Sequence, residues 1–268
     1  MDLVERLRAA GCVFAEEEAA LLQAQASGAE LEALTARRVA GEPLEHVLGW
    51  AEFHGLRVAV DPSVFVPRRR TEFLVDLAAE RTYPGVVVLD LCCGSGALGA
   101  ALATERPGIE LVAADLDPAA VRCARRNLEP LGGRVFEGDL FVPLPATLRG
   151  RVDVLLVNVP YVPTGGIALM PPEARLHEAP IALDGGTDGL DLLRRVAAEA
   201  GDWLAPGGGL FTETGEEQAA AAVGVLTGAG FAAHAVSDED GATVVVAEAQ
   251  LRTRRGSAPP RGPAPAPR

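Results

Sequence analysis

The sequence predicts an α/β protein: an open, mostly parallel β-sheet flanked by helices, with a small helical domain and a β-hairpin linker in front of it. From residue 86 onward, apolar runs alternate with helical segments, which is typical of a parallel sheet. The first run, VVVLDL, is continuously apolar up to its aspartate, as expected for a strand buried on both faces. Residues 1–48 instead show leucines at helical spacing. With 49% apolar and 23% charged residues among 268, the composition is that of a folded globular chain.

The domain boundaries follow from these changes of pattern. We expect a helical domain over residues 1–48, a β-hairpin linker over 49–70, a sheet domain over 71–251 and a disordered Arg/Pro-rich tail over 252–268. Ser27 followed by Glu30 is a capping-box signature, which predicts a helix that starts near Gly28. Apolar residues on both sides of Asp61-Pro62 predict the short hairpin.

The elements of the sheet domain follow one another in a regular order. Strands are predicted over 86–91, 111–115, 135–136, 152–158 and around 210–212, followed by the two final strands FAAHAV and TVVVAEA. Helices are predicted over 71–81, after residue 97, over 118–128, from about 189 and over 216–228. Asp117 before Pro118 is a predicted N-cap. Residues 159–188 are predicted to form a long loop.

Charge and cysteine usage exclude several classes of partner. Residues 1–251 carry 19 arginines against 37 acidic residues, a net charge of −18, which is expected to repel nucleic acid. No stretch approaches the roughly 20 apolar residues of a membrane span, and the segment MDLVERLRAAG has no apolar signal-peptide core. The four cysteines form no CxxC pair, so we expect no metal site and a reducing, cytoplasmic location.

A ligand is expected at the carboxyl ends of the parallel strands. The first strand ends in D-L-C-C-G-S-G over residues 90–96, a glycine-rich turn that lets a ligand approach the backbone and the next helix. The second ends in Asp115, whose carboxylate suits two ribose hydroxyls. The third leads to Asp139 and Leu140, and the fourth ends in N-V-P-Y over 158–161. The glycine turn alone fits nicotinamide, flavin and S-adenosyl-L-methionine (SAM) sites equally well.

Two short motifs favour methyl transfer to nitrogen. The turn D-x-C-x-G-x-G is similar to the first motif of class I SAM-dependent methyltransferases, with Cys92 in place of a glycine, and N-V-P-Y resembles their amino-methyltransferase motif NPPY. An amide nitrogen is a poor nucleophile because its lone pair is delocalised. The Asn158 side-chain oxygen and one backbone carbonyl can accept its two N–H groups and aim the lone pair at the methyl donor. Tyr161 is expected to pack on the planar target group.

Longer stretches resemble one family, the HemK/PrmC-type protein-(glutamine-N5) methyltransferases. ARRVAGEPLEHVLGWAEFHGL is similar to their ARRAGEPLAYILGxxEFxGL, VFVPRRRTEFLV to VLIPRPETExLV, and FTETGEEQ to LLEIGxxQ. PPEARLHEAPIALDGGTDGLDLLRRV matches their loop PEVRxxEPxxALxGGxDGLxxxRxI. The resemblance runs from about Ala36 to Glu248.

The resemblance implies a Rossmann-like class I SAM-dependent methyltransferase with an N-terminal helical substrate-recognition domain, SAM as methyl donor and S-adenosyl-L-homocysteine (SAH) as product. It implies a glutamine side chain in a protein as acceptor, by default in the GGQ loop of a peptide-chain release factor. We expect a monomer with no direct nucleic-acid or membrane partner. The implied cofactor-binding residues are Asp90, Cys92, Cys93, Gly94, Ser95, Gly96, Asp115, Asp139, Leu140 and Asn158, and the implied catalytic residues are Asn158, Val159, Pro160 and Tyr161.

The chain departs from the family pattern at three places. Val159 replaces the first proline of NPPY, Arg69 and Arg70 replace the proline and the acid of PRPETE, and the N-terminal region is shorter. These departures leave other hypotheses open. The chain is alternatively a nucleic-acid amino-methyltransferase acting on adenine N6 or a similar nitrogen, a non-catalytic SAM-binding module, or a methyltransferase of small molecules.

Overall fold

The computed structural model describes residues 2–249 and begins with four short helices and a hairpin. The helices are α1 (Leu3–Ala9), α2 (Ala15–Gln25), α3 (Gly28–Val39) and α4 (Leu44–Leu48), and the hairpin pairs β1 (Trp50–Phe53) with β2 (Leu56–Ala59). The predicted tail over 252–268 and the last two residues of the predicted sheet domain lie outside the described residues. The domain boundaries drawn from the sequence stay predictions.

The α/β part follows the predicted alternation of strands and helices. Its elements are α5 (Glu72–Ala79), β3 (Val87–Leu91), α6 (Ala97–Glu105), β4 (Glu110–Asp115), α7 (Pro118–Leu128), β5 (Arg134–Glu137), β6 (Val152–Val157), α8 (Pro172–His177), α9 (Asp191–Trp203), β7 (Leu204–Thr214), α10 (Ala219–Gly228), β8 (Phe231–Ser237) and β9 (Thr243–Ala249). Within residues 2–249, no helix is both long and apolar enough to cross a membrane.

The seven strands from β3 to β9 form one sheet in the order β5-β4-β3-β6-β7-β9-β8. The pairs from β5 to β7 are parallel, and β9 runs antiparallel to both of its neighbours. The predicted mostly parallel sheet is therefore confirmed. The chain moves outward from β3 to β5 and then returns to place β6 on the other side of β3. This reversal creates a crevice at the carboxyl ends of β3 and β6, where open α/β sheets bind ligands.

The two faces of the sheet are both covered, which explains the continuous apolar run of the first predicted strand. All five residues of β3 are buried. Successive side chains of a strand point to opposite faces, so Leu89 and Leu155 belong to one apolar cluster while Val88 and Leu156 belong to the other. Helices on both faces complete these clusters and hold the strand ends in fixed positions.

Local signals gave one accurate and one wrong cap. The predicted N-cap of α7 is confirmed, because the Asp117 carboxylate accepts from the Ala119 N–H at 2.8 Å. The predicted start of a helix near Gly28 is confirmed by α3, with Ser27 at the N-cap, but the capping box is wrong because the Ser27 side chain makes no cap hydrogen bond. Gly28, the first residue of α3, has a φ of +60°. This left-handed backbone differs from the regular first turn in which a capping box forms.

The predicted loop over 159–188 contains more regular structure than expected. It includes α8 and 3-10 turns at Thr164–Leu169 and Pro180–Ala182. Helix α8 starts at Pro172, and proline is favoured in the first turn because its φ is already helical. Turns and helices of three to six residues are too short to show an apolar period, and for that reason the sequence pattern did not predict them.

Arg38 joins the N-terminal helices to α8. Its guanidinium donates to both carboxylate oxygens of Glu18, at 2.6 and 3.0 Å, and to Glu173 Oε1 at 2.6 Å. Burial acts to lower the pKa of Arg38, but the hydrogen bonds and charges of Glu18 and Glu173 outweigh it and leave the pKa raised. Because the Arg38 side chain is only 6% exposed, water screens these charges little.

We expect Arg38→Met to reduce the free energy of unfolding by about 3 kcal/mol, because it leaves the carboxylate of Glu18 buried without a cation. Urea unfolding followed by circular dichroism measures this loss. Arg8→Met is the matched control, since Arg8 and Glu16 form an ion pair in which both side chains are 61% exposed. Exposed pairs contribute little, so an equal loss in both variants would contradict a stabilising role of the Arg38 cluster.

Candidate active site

A cavity of about 280 Å³ opens at the carboxyl ends of the parallel strands. Most of the residues predicted from the sequence line it: Cys92, Cys93, Gly94, Ser95, Asp115, Asp139, Leu140, Asn158, Val159, Pro160 and Tyr161. Asp90 and Gly96 do not line it. The strand ends that the sequence singled out therefore meet around one space, at the crevice between β3 and β6.

The glycine-rich turn after β3 depends on left-handed backbone. Cys92, Gly94 and Gly96 have φ values of +58°, +55° and +77°. A Cβ on Gly96 would lie 2.9 Å from Leu128 Cγ, so this glycine allows α6 to pack closely on α7. A Cβ on Gly94 would meet no atom within 4 Å. Gly94 therefore allows the left-handed backbone beside the cavity, whereas Gly96 allows the two helices behind the cavity to pack closely.

Asp115, at the end of β4, holds this turn in place. Its Oδ2 accepts from the Gly94 N–H at 2.8 Å and its Oδ1 accepts from the Asp117 N–H at 2.9 Å. Burial raises the pKa of Asp115, and these backbone hydrogen bonds oppose the rise. Each carboxylate oxygen keeps a further lone pair. The cavity-facing carboxylate can therefore accept two hydroxyl groups of a ribose.

Asp90 lies behind the cavity and shapes it indirectly. The side chain is 1% exposed, and its Oδ2 accepts from the Gly99 N–H of α6 at 3.0 Å. Burial, with the charge of Asp115, raises the pKa of Asp90 to about 8, so the carboxyl group is largely protonated at neutral pH. The sequence predicted that Asp90 contacts the cofactor. In the structure Asp90 instead makes a hydrogen bond that positions the start of α6.

We expect the buried Asp90 to make the free energy of unfolding fall as pH rises. The folded-state pKa is about 8 against an ordinary value of 3.8, so between these values the folded chain keeps a proton that the unfolded chain has released. Asp90→Asn removes this dependence. Its free energy of unfolding relative to the wild type should rise by up to about 1.4 kcal/mol per pH unit across that window. Urea titrations at several pH values measure it, and a constant difference would contradict the prediction.

The two adjacent cysteines of the turn are neutral. Burial raises the pKa of both the Cys92 and Cys93 thiols, and the nearby aspartates raise it further. A thiol must ionise to act as a nucleophile. These side chains therefore serve the turn as small apolar groups.

The third strand end closes one side of the cavity. Leu140 is 5% exposed with a φ of +47°. Asp139 accepts from Arg195 of α9 at 2.6 Å, and both side chains border the cavity. Together with Leu116, Leu140 offers an apolar wall suited to a planar base.

Asn158 follows β6 and borders the cavity with its side chain free. Within residues 2–249, its side-chain amide has no hydrogen-bond partner. The carbonyls further along the turn are engaged, because Tyr161 O accepts from Gln218 Nε2 at 3.0 Å and Val162 O accepts from the Gly185 N–H at 2.9 Å. The carbonyl of Val159 has no hydrogen-bond partner among residues 2–249, so it can act as an acceptor together with the Asn158 oxygen.

The glycine-rich segment over 185–189 supports this turn from behind. A Cβ on Gly185 would lie 2.6 Å from Pro160 O, and a Cβ on Gly189 would lie 2.2 Å from Tyr161 O. The sequence marked this segment only as part of a family resemblance. Its signal was the pair of glycines in GGTDG, whose missing side chains allow two backbone segments to touch.

Tyr161 is fixed by a charged network that the sequence did not predict. Its hydroxyl donates to Glu213 Oε1 at 2.7 Å, and Arg70 Nε donates to the same oxygen at 2.8 Å. Thr71 Oγ1 donates to Glu213 Oε2, and Arg70 Nη2 donates to the Tyr161 hydroxyl. Burial and the negative charge of Glu213 raise the pKa of Tyr161, so the hydroxyl stays neutral. The sequence signals for Glu213 were its position at the end of a strand and its match to the glutamate of the family stretch LLEIGxxQ.

One group with metal-ligand chemistry occurs among residues 2–249, and it lies outside the cavity. His54 Nε2 lies 2.9 Å from Asp76 Oδ1 and 3.9 Å from Glu105 Oε2. These side chains connect the β1–β2 turn to α5 and α6, and we interpret them as a polar contact that holds the hairpin.

Comparison with known proteins agrees with this geometry. The model of the Methyltransferase small domain family matches residues 56–188. A release factor glutamine methyltransferase of Geobacter sulfurreducens is 42% identical over 200 residues, which cover 74% of this chain and 69% of the relative. The chain belongs to the release factor glutamine methyltransferase family. As a member of this family it is an enzyme, a methyltransferase.

This member of the release factor glutamine methyltransferase family is also similar to other methyltransferases. The 4-amino-L-phenylalanine/4-methylamino-L-phenylalanine methyltransferase of Streptomyces pristinaespiralis is 36% identical over 208 residues, covering 75% of this chain and 70% of that protein. A solved methyltransferase from Pyrococcus furiosus has a TM-score of 0.54 at 17% identity and covers 81% of this chain and 98% of its own. The predicted class I SAM-dependent methyltransferase fold is confirmed.

The cavity fits SAM, which is the methyl donor implied by membership of a methyltransferase family. Asp115 can accept ribose hydroxyls, and Leu116 and Leu140 form an apolar wall for the adenine. Asp117 adds negative charge to the lining, which favours a cationic sulfonium. The residues present therefore match the ribose, the adenine and the positive charge of the donor by their chemistry.

Proposed function

We propose that this chain transfers the methyl group of SAM to the side-chain amide nitrogen (N5) of a glutamine in a protein, in the first place a peptide-chain release factor. The observation that carries the proposal is the unbonded side-chain amide of Asn158 in the cavity lining, next in the chain to Val159, whose carbonyl has no hydrogen-bond partner within residues 2–249. The names of the curated relatives support it, since most of them are release factor glutamine methyltransferases.

The reaction depends on orientation of a weak nucleophile. When bound, SAM supplies an electrophilic methyl group on its sulfonium. Asn158 Oδ1 and the Val159 carbonyl accept the two N–H groups of the glutamine amide and hold its lone pair toward that methyl group. Tyr161 packs on the plane of the amide, and its hydroxyl is anchored to Glu213. As the N–CH3 bond forms and the S–CH3 bond breaks, the amide nitrogen releases one of its two protons to solvent, so that SAH and a proton are the other products. Fixed dipoles and alignment, rather than a strong base, lower the barrier.

Val159 is compatible with this chemistry. It is 3% exposed and belongs to the apolar cluster that also contains Val157 of β6. The apolar packing holds the turn in place of the proline ring that the family pattern has at this position. The backbone carbonyl, which is the group that the reaction uses, is the same in valine and proline.

Binding of the donor is tested separately from the acceptor. We expect Asp115→Ala to weaken SAH binding at least about tenfold, because the variant loses the contacts of the carboxylate with two ribose hydroxyls. Isothermal titration calorimetry measures it. Asp153→Ala is a suitable control, because Asp153 Oδ2 binds the Val87 N–H at 2.8 Å, near the amino end of the sheet. Equal affinity of wild type and Asp115→Ala would contradict the assignment of the ribose site.

The acceptor is tested with purified protein, labelled SAM and a release factor from the same source. We expect one methyl group on the glutamine of the GGQ loop, located by peptide mass spectrometry, and none on a release factor in which that glutamine is alanine. A chain that binds SAH but methylates no glutamine in this assay would contradict the proposed function.

A second candidate is methylation of a small aromatic amine. It is favoured by one observation, the 36% identity to the 4-amino-L-phenylalanine/4-methylamino-L-phenylalanine methyltransferase of Streptomyces pristinaespiralis. An arylamine presents two N–H groups and a delocalised lone pair, as a carboxamide does, so the same acceptors can orient it. Including 4-amino-L-phenylalanine in the assay distinguishes the two candidates. The nucleic-acid and non-catalytic alternatives gain no support from these relatives.

A further inference from the structure

Two arginines of the cavity lining lie beside the acceptor turn. Asp115, Asp117 and the Asp139–Arg195 ion pair lie on the β4 and β5 side, where we place the donor. Arg68 and Arg70 lie on the other side, and Arg70 contacts Tyr161. A methyl acceptor that reaches Asn158 therefore meets guanidinium groups, although the chain as a whole is acidic.

Arg70 is held along one edge and open along the other. Its Nε donates to Glu213 at 2.8 Å, its Nη2 donates to the Tyr161 hydroxyl, and its Cζ lies 5.9 Å from the centre of the Tyr161 ring. A guanidinium has five N–H donors. Its Nη1 has no hydrogen-bond partner among residues 2–249, and the side chain is 57% exposed. A fixed guanidinium with free donors thus borders the acceptor side of the cavity.

Both arginines of the lining have a carboxylate partner. Glu213 compensates Arg70, and the buried Glu178 compensates Arg68. The remaining positive charge is that of Arg69, which lies outside the cavity lining, is exposed and forms no ion pair within the described part of the chain. The family-like pattern PRPETE has a proline and an acid where this chain has Arg69 and Arg70. The exchange of one negative charge for two positive ones therefore distinguishes this chain from the family pattern.

We propose that Arg70 selects acceptors that carry a carboxylate close to the reacting nitrogen. This inference rests on the proposed function and specifies its substrate class. A planar guanidinium binds a carboxylate through paired hydrogen bonds, which give both affinity and orientation. Two acceptors offer that chemistry: a glutamine followed or preceded by Asp or Glu in a protein loop, and a free amino acid with its own α-carboxylate.

The contacts of Arg70 favour the acceptor over the donor as its ligand. Arg70 binds Glu213 and the hydroxyl of Tyr161, which belongs to the turn assigned to the acceptor. Within residues 2–249 it makes no hydrogen bond to the strand ends assigned to the donor. We therefore expect Arg70 to affect acceptor preference and to leave SAH binding unchanged.

The test compares matched peptides in which Glu, Gln or Lys stands next to the acceptor glutamine. We expect kcat/KM of the wild type to be at least about tenfold higher for the Glu peptide than for the Gln peptide. The double variant Arg70→Gln/Glu213→Gln removes the cation without leaving a buried carboxylate unpaired, and it should lose this preference. Arg70→Glu should favour the Lys peptide. A second comparison, 4-amino-L-phenylalanine against its carboxamide, tests the free α-carboxylate in the same way.

Arg134→Glu is the matched control. It makes the same change of charge at the amino end of β5, at the opposite edge of the sheet from the cavity, and should leave the preference as in the wild type. Thermal melting of each variant shows whether it is folded. Calorimetry with SAH shows whether Arg70 acts on the donor.

Three results would overturn the inference. In the first, the wild type has equal rates with the Glu and Gln peptides and also equal rates with the free amino acid and its carboxamide. In the second, the preference for a carboxylate persists in the folded double variant. In the third, the double variant loses SAH affinity but keeps the acceptor preference of the wild type. Failure of the proposed function is distinguishable. In that case no peptide is methylated by the wild type, whereas the free amino acid and its carboxamide still report on Arg70.

Discussion

Asn158→Ala is expected to lower kcat for methyl transfer by about 10³-fold while SAH affinity changes far less. The substitution removes the oxygen that accepts one N–H of the acceptor amide, so the lone pair is no longer held toward the methyl group. The side chain makes no hydrogen bond to residues 2–249, and its loss should therefore cost little stability. Single-turnover kinetics with labelled SAM measures the transfer step directly.

Two substitutions in the same turn serve as controls for Asn158→Ala. Asn158→Asp keeps an acceptor oxygen of the same shape and should retain more activity than the alanine variant. Val159→Pro restores the family pattern, keeps the carbonyl and should leave the rate near that of the wild type. If Asn158→Ala keeps more than about a tenth of the wild-type rate, the asparagine oxygen does not orient the acceptor.

Gly189→Ala is expected to lower activity at least about 100-fold, because displacements near 1 Å in a reacting geometry have effects of this size. The added Cβ would lie 2.2 Å from Tyr161 O and 2.3 Å from Gln218 Nε2, at a φ of +79° that alanine rarely adopts. The N-V-P-Y turn or the 185–189 segment must therefore move. Because the donor side of the cavity is built from other strand ends, SAH binding should be retained.

Gly165→Ala is the control for this prediction. Gly165 lies in the same segment between β6 and α9, and an added Cβ there would meet no atom within 4 Å. Its activity should match the wild type. Initial rates with the release factor, together with calorimetry for SAH, measure both variants. Full activity of Gly189→Ala would show that the turn tolerates displacement and that acceptor orientation is set elsewhere.

The sequence predicted those parts of the site that are contiguous and stand at strand ends. The turn over 90–96, Asp115 and Asn158 each follow an apolar run, and parallel strands bring such positions together at one edge. Within the turn, the sequence did not separate residues that face the cavity from those behind it. Burial of every residue of β3 placed Asp90 under α6 rather than in the cavity.

The remaining parts of the site depend on contacts between distant segments. Arg70, Tyr161 and Glu213 are far apart in the chain, and their shared hydrogen bonds appear only after α5, β6 and β7 are packed. A change of sign at Arg70 was visible in the sequence as a departure from a family pattern. Its partner, its exposure and its free donors were not.

The attachment of α8 to the N-terminal helices has a consequence for turnover. Arg38 binds Glu18 and Glu173, and the segments that flank α8 contribute Met170 and Ile181 to the cavity wall. Any rotation of the N-terminal bundle would carry α8 along and change the width of the opening. Removing that bundle should therefore slow the methylation of even a short peptide that never touches it, which would show that those helices influence catalysis.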